Sequence, residues 1–130
     1  MGVAGKILIV DDEVHIRMLL VQALEDLEDA HGVSILTASN GVEGLELIRR
    51  EHPDLVFLDI MMPRMNGYEV CEAVTRDPDL SGVRIILLTA KGQETDRRQG
   101  LESGAGQYMT KPFDPDEVVA VARRALALPV

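Results

Sequence analysis

Five polar residues stand at the ends of short apolar runs: Asp11 and Asp12 after 7–10, Asp59 after 55–58, Thr89 closing 83–89, and Lys111 just past 107–109. Taken singly each is ordinary. A carboxylate pair ahead of a helix complements its dipole, an Asp at a strand end forms turns, and one Thr or Lys carries no signal. Gathered at one place they would do chemistry. Two carboxylates ~4 Å apart repel by about 4 kcal/mol at an effective dielectric of 20, so such a cluster needs a cation or a raised pKa. A divalent ion is the simpler answer. Hard oxygen donors, few protein ligands and room for water and a phosphate favour Mg²⁺, with Mn²⁺ as a substitute, over a full Ca²⁺ cage, and zinc is poorly served without Cys or His nearby. Beside such an ion an aspartate can act as a nucleophile toward phosphorus, giving an aspartyl phosphate. The cation, the Lys111 ammonium and the Thr89 hydroxyl would then neutralise the phosphoryl oxygens, which is the positioning and electrostatics that phosphoryl transfer requires.

The elements that must bring these residues together are legible as alternating periods. The apolar runs 7–10, 33–38, 55–58 and 83–89, and a weaker one at 107–109, have strand length. Between them lie helical stripes: Ile16, Leu20, Ala23, Leu24 and Leu27; Val42, Leu45 and Ile48; Val70, Cys71 and Val74; and finally Val118, Ala122, Ala125 and Leu126. A stretch at 93–103 reads as a fourth, mostly polar helix with Leu101 its one large apolar residue, so its packing is expected to be loose. Asn40 and Asp114 are predicted N-caps, and Pro53, Pro78 with Asp79, and Gly104 are predicted stops. Strict βα alternation predicts an α/β fold: a doubly wound three-layer sandwich of flavodoxin-like type, with a five-stranded parallel sheet in the order 2-1-3-4-5. In that order the switch point lies between the first and third strands, and Asp11, Asp12, Asp59, Thr89 and Lys111 converge on the rim at the strands' carboxyl ends.

Length and composition bound the remainder. A chain of 130 residues is right for one domain, expected to have its core at about 6–128 and no effector domain. No run approaches the ~20 apolar residues of a membrane-spanning helix, the start lacks a signal-peptide core, and the single cysteine, Cys71, cannot form an internal disulfide. A cytoplasmic protein with no membrane insertion is expected, and Cys71 reads as core filler. The formal charge of −9 argues against direct nucleic-acid binding, and the pairs Arg49-Arg50, Arg97-Arg98 and Arg123-Arg124 are scattered along helical segments.

Four segments together carry a family resemblance: Asp11-Asp12-Glu13, the run from Asp59 through Ile60, Met61, Met62, Pro63, Arg64, Met65 and Asn66 to Gly67, then Thr89-Ala90, and Tyr108 through Met109, Thr110, Lys111 and Pro112 to Phe113. The chain resembles the receiver domain of two-component response regulators, including chemotaxis-type single-domain members, over about 6–128. That resemblance implies phosphorylation of Asp59 by a sensor histidine kinase or histidine-phosphotransfer protein. It implies Mg²⁺ held by Asp12, Asp59 and the Met61 backbone carbonyl, with Asp11 acting through a bound water. Lys111 would pair with the phosphoryl group, Thr89 would move to bond it, and Tyr108 would rotate inward with Thr89. A cis Lys111-Pro112 bond is implied too. The fourth helix, fifth strand and last helix would form the switching face for a downstream protein or a homodimer. Such a protein is not an enzyme beyond promoting its own phosphorylation and dephosphorylation. Met61 offers no polar side chain to orient water and Lys91 adds a cation, so slow dephosphorylation is expected. An outer stripe on the first helix, Val14, Met18 and Val21, is a candidate donor-docking or dimer patch.

Three other readings stand beside this one. A haloacid-dehalogenase-type phosphatase also uses an aspartyl phosphate but needs a DxD motif after the first strand, where this chain has Asp11-Asp12-Glu13. A flavodoxin-like FMN carrier would need a phosphate cradle in the first loop and aromatics to sandwich the flavin. A pseudo-receiver acting only as a scaffold is opposed by the complete acidic set.

Overall fold

The computed structural model describes residues 5–90, 107–111 and 113–128. The predicted helix at 93–103, Lys91, Gly104 and the Lys111-Pro112 bond lie outside the described residues. Five strands, β1 (Lys6–Val10), β2 (Ser34–Ala38), β3 (Leu55–Asp59), β4 (Arg84–Ala90) and β5 (Gln107–Lys111), form one sheet in the order β2-β1-β3-β4-β5, every neighbouring pair parallel. The described helices are α1 (Val14–His31), α2 (Gly41–Glu51), α3 (Gly67–Arg76) and α4 (Pro115–Ala125), with a short 3-10 turn at Pro78–Leu80. This is the predicted doubly wound, flavodoxin-like sandwich.

A parallel sheet covered on both faces needs strands that are apolar on both sides. All five residues of β3 are buried accordingly. Alternate side chains serve opposite layers: Leu8, Val10, Val56, Leu58 and Leu87 pack with Leu45, Ile48, Val70, Cys71 and Val74 of α2 and α3. Ile7, Ile9, Leu55, Phe57 and Leu88 pack with Leu20, Leu24 and Leu27 of α1 and Val118, Val121 and Ala122 of α4. Each fully buried Leu or Ile contributes roughly 1.5–3 kcal/mol. Cys71 is core filler, buried and in no disulfide.

Two stripe residues fall elsewhere than the helical period suggests. Val42 is exposed, because the buried face of α2 runs through Gly41, Gly44, Leu45 and Ile48, where Gly41 lies against the Met65 backbone and the missing side chain of Gly44 admits Val10. Val21 is half-buried against the α1–α4 core, so the outward stripe of α1 consists of Val14 and Met18, 51% and 56% exposed, joined by Leu19.

Helix ends follow their caps. Asn40 accepts from the Glu43 amide and Asp114 from the Asp116 amide, as predicted. Asn66 and Glu69 form a reciprocal capping box at α3. His52, at φ 48°, ends α2 ahead of Pro53.

The start of α3 presses on the end of β3. A methyl group at Gly67 would lie 2.5 Å from the Asp59 carbonyl oxygen and 2.9 Å from Ile60 Cα, while one at Gly82 would meet nothing within 4 Å. Gly67→Ala is therefore expected to cost about 1–3 kcal/mol in chemical denaturation, with Gly82→Ala near neutral; equal stability of the two variants would contradict this packing.

Candidate functional site

Strand register gathers the polar residues. Asp59 pairs with Leu88, Thr89 with Thr110 and Ala90 with Lys111, so β4 and β5 end level and reach past the end of β3, while Asp11 and Asp12 leave β1 beside β3. Asp11, Asp59 and Thr89 are the buried polar residues among those described, at 0%, 5% and 5% exposure. Charged groups are almost never that buried unless paired.

The turn after β1 is held from several sides. The Asp11 amide donates to the Ala38 carbonyl at 3.2 Å. Its Oδ1 accepts from the Glu13 amide at 2.9 Å, and its backbone carbonyl accepts from Arg17 Nη1 at 2.6 Å. The carboxylate oxygens of Asp11, Asp12 and Glu13 lie within 4.8 Å of one another, the first buried and the other two exposed. Lys111 Nζ, reaching in from β5, contacts Asp11 Oδ2 at 3.0 Å and Asp59 Oδ1 at 3.2 Å. One ammonium thus serves two buried carboxylates.

The charges respond to this crowding. Burial raises the Asp59 carboxyl from 3.8 to about 6, with Asp11 and Asp12 adding to the rise and Lys111 opposing it. Burial likewise raises Asp11, against the Glu13 amide and Lys111. For Lys111 desolvation is the largest single effect and acts downward, but the two carboxylates together exceed it and hold the ammonium above its usual range. The donors are hard oxygens carrying excess negative charge, and they fit a hard divalent cation.

The loop following Asp59 is tightly built. The Ile60 amide donates to the Leu88 carbonyl at 3.3 Å and the Gly67 amide to the Ile60 carbonyl at 3.0 Å. Within it the Met65 amide donates to the Pro63 carbonyl at 2.8 Å across Arg64, whose φ is 72°. This is a γ-turn of the rare, strained kind. Met61, two residues past Asp59, turns its side chain outward, 67% exposed.

Of the predicted site residues, the structure brings Asp11, Asp59 and Lys111 into direct contact, with Asp12 beside Asp11 and Thr89 on the same rim. The Asp11, Asp12 and Glu13 group does not include Asp59, which joins the cluster through Lys111. Tyr108 lies in β5 opposite Leu87, half-buried against the core on the α2 and α3 side. Two participants were missed by sequence reasoning. Glu13 stands in the first acidic motif with no role of its own to mark it, and nothing in the spacing marks Arg17. The available signal for Arg17 was a cation near a helix N-terminus, where the dipole disfavours it.

The family described as "Response regulator receiver domain" matches residues 7–123. "Probable transcriptional regulator ycf27" of Porphyra purpurea is 47% identical over 121 residues, covering 93% of this chain and 47% of that protein. Protein PilH of Pseudomonas aeruginosa is 39% identical over 123 residues, covering 95% of this chain and 98% of that protein. The solved structure of chemotaxis response regulator CheY4 of Vibrio cholerae is similar with TM-score 0.84 at 29% identity, covering 95% of this chain and 100% of that one. The chain spans about half the length of the first curated relatives it matches, and nearly the whole of PilH. Among the described residues no helix is long and apolar enough to cross a membrane.

The raised Asp59 carboxyl has a consequence for stability. Its folded value, about 6, lies above the unfolded 3.8, so its contribution is fully present below 3.8 and is lost as pH rises through 6. Metal-free Asp59→Asn is therefore expected to exceed the wild type in stability at pH 7.5 by about 1–2 kcal/mol after allowance for solvent screening. The difference should shrink toward pH 5. Denaturant titrations at both pH values check this, and a wild type more stable than the variant at pH 7.5 would contradict it.

Proposed function

The chain belongs to the response regulator receiver family of two-component signalling, and from that premise we propose that Asp59 is its phosphoryl acceptor. The observation that carries the reading is the single ammonium of Lys111 shared between Asp11 and Asp59 at the carboxyl ends of the strands. That arrangement holds a cation against the Asp59 carboxylate, with the further negative charge of Asp11 and Asp12 close by.

The donor is a phosphohistidine on a sensor histidine kinase or a histidine-phosphotransfer protein. An Asp59 carboxylate oxygen attacks phosphorus, the O–P bond forms as the N–P bond breaks, and the electron pair returns to the imidazole, which takes up a proton. Receiver domains generally bind Mg²⁺; here Asp12, Asp59 and the Met61 carbonyl would hold it, with Asp11 reaching it through water, and when bound it supplies charge neutralisation at the transferring group. Lys111 turns from the carboxylates to the phosphoryl oxygens, and the Thr89 hydroxyl donates to them. The added charge of up to about −2 draws Thr89 toward the site, and Tyr108 follows inward. The surface formed by β5 and α4 then changes its affinity for a downstream protein or a second copy. The exposed Val14 and Met18 side chains on α1, beside the site, are offered to the donor. The chain promotes its own phosphorylation and dephosphorylation and turns over no other substrate.

Intact-protein mass spectrometry after incubation with acetyl phosphate tests the reading. A gain of one phosphate is expected with Mg²⁺, none after chelation, and none in Asp59→Ala. Lys111→Ala is expected to slow the gain by roughly a hundredfold. A gain that persists in Asp59→Ala would remove Asp59 as acceptor. Met61→Asn, which introduces a polar group able to orient water, should shorten the phosphoryl lifetime by roughly tenfold; an unchanged rate of phosphate loss would sink the part given to Met61.

A further inference from the structure

Arg17 occupies a place that electrostatics disfavours. It lies near the N-terminus of α1, where the helix dipole opposes cations by roughly 0.3–1 kcal/mol. The N-cap residue, Glu13, makes no side-chain capping bond that would offset this. The Arg17 side chain is nonetheless half-buried, folded back over the turn. Its aliphatic stem lines a groove with Val14, Met18 and Thr37, and its Nη1 donates to the Asp11 carbonyl at 2.6 Å. A charge-assisted bond of this kind is roughly twice as strong as a neutral one.

That bond completes the set around Asp11. The amide, the carbonyl and both carboxylate oxygens each have a partner: Ala38, Arg17, the Glu13 amide and Lys111 respectively. Asp12 is different. It is exposed, and among the described residues its carboxylate takes no hydrogen bond or ion pair. Where its carboxylate can reach is therefore set by the backbone that carries it, beginning at the peptide plane whose oxygen Arg17 holds.

We infer that Arg17 is a positioning residue for cation binding: by clamping the Asp11 carbonyl it fixes the Asp11-Asp12 peptide plane and so aims the Asp12 carboxylate at a divalent ion. This rests on the magnesium-assisted reading above. Groups that orient metal ligands are characteristically worth tenfold or more in metal affinity. The charge on Arg17 would act in the opposite sense, since a guanidinium close to a divalent cation repels it. Positioning and simple repulsion therefore give opposite signs when the residue is removed.

Calorimetric titration of the full chain with MgCl₂ decides between them. Arg17→Met keeps the stem but loses the donor, and is expected to weaken Mg²⁺ binding roughly tenfold. Arg17→Lys, which retains charge and a donor, should stay closer to the wild type. The metal-free thermal midpoint of Arg17→Met should remain within a few degrees of wild type, while the rise that Mg²⁺ produces shrinks, a separation that a purely structural role would not give. Equal or tighter binding by Arg17→Met, or an Arg17→Lys no better than Arg17→Met, overturns the inference. If Arg17→Met does not fold, Arg17→Gln, with an amide too short to span the turn, takes its place under the same criteria. Failure of the wild type itself to bind Mg²⁺ would overturn the underlying reading instead.

Discussion

Two carboxylates buried beside a single ammonium leave one negative charge without an internal partner. Asp11 and Asp59 are taken out of water by the sheet and its flanking helices, and Lys111 is shared between them at 3.0 and 3.2 Å. An isolated charge in such a setting either shifts its pKa or recruits a counter-ion. Here Asp59 is displaced toward neutrality, to about 6. The strain is electrostatic, local and relievable by a cation. On the proposed reading it is what would draw a divalent ion to the rim and, through that ion, a group as highly charged as a phosphoryl.

The scaffold can sustain the imbalance because little else in it is left to chance. The strands that deliver Asp11 and Asp59 run side by side in the sheet's interior, with Val10 and Leu58 paired and fully buried just before the charged residues. The loop after Asp59 is stitched back to β4 by the Ile60 amide and closed onto α3 by Gly67 and the Asn66 capping box. A strained backbone conformation in the loop after Asp59, at Arg64, is stored within that closed loop. Rigid delivery matters because electrostatic stabilisation of a transfer depends on groups that need not reorganise.

Much of this was legible in the sequence, for reasons particular to the fold. Burial on both faces of a parallel sheet makes its strands short continuous apolar runs, set off from helices of period 3.6, so the alternation of elements and the strand ends bearing Asp11, Asp12, Asp59, Thr89 and Lys111 were legible, and the flavodoxin-like order placed those ends on one rim. Caps at Asn40 and Asp114 were legible because a side-chain acceptor at that position has one dominant use. Val42 and Val21 were not, since glycines at 41 and 44 lie on the buried face of α2, and α1 packs side by side with α4 on one face of the sheet, covering part of Val21. Arg17 escaped notice because its role depends on a side chain folding back over a turn, a geometry that spacing does not encode. The shared ammonium was also invisible: the sequence placed Lys111 on the rim, but not between two carboxylates at once.

The most direct test of the charge imbalance as the basis of function is the structure of the chain with Mg²⁺ and beryllofluoride, a phosphoryl mimic. The expected result is beryllium bonded to an Asp59 carboxylate oxygen, with the Lys111 ammonium drawn off Asp11 and onto a fluoride. An adduct on another carboxylate, or Lys111 still bridging Asp11 and Asp59 beside a bound mimic, would contradict it.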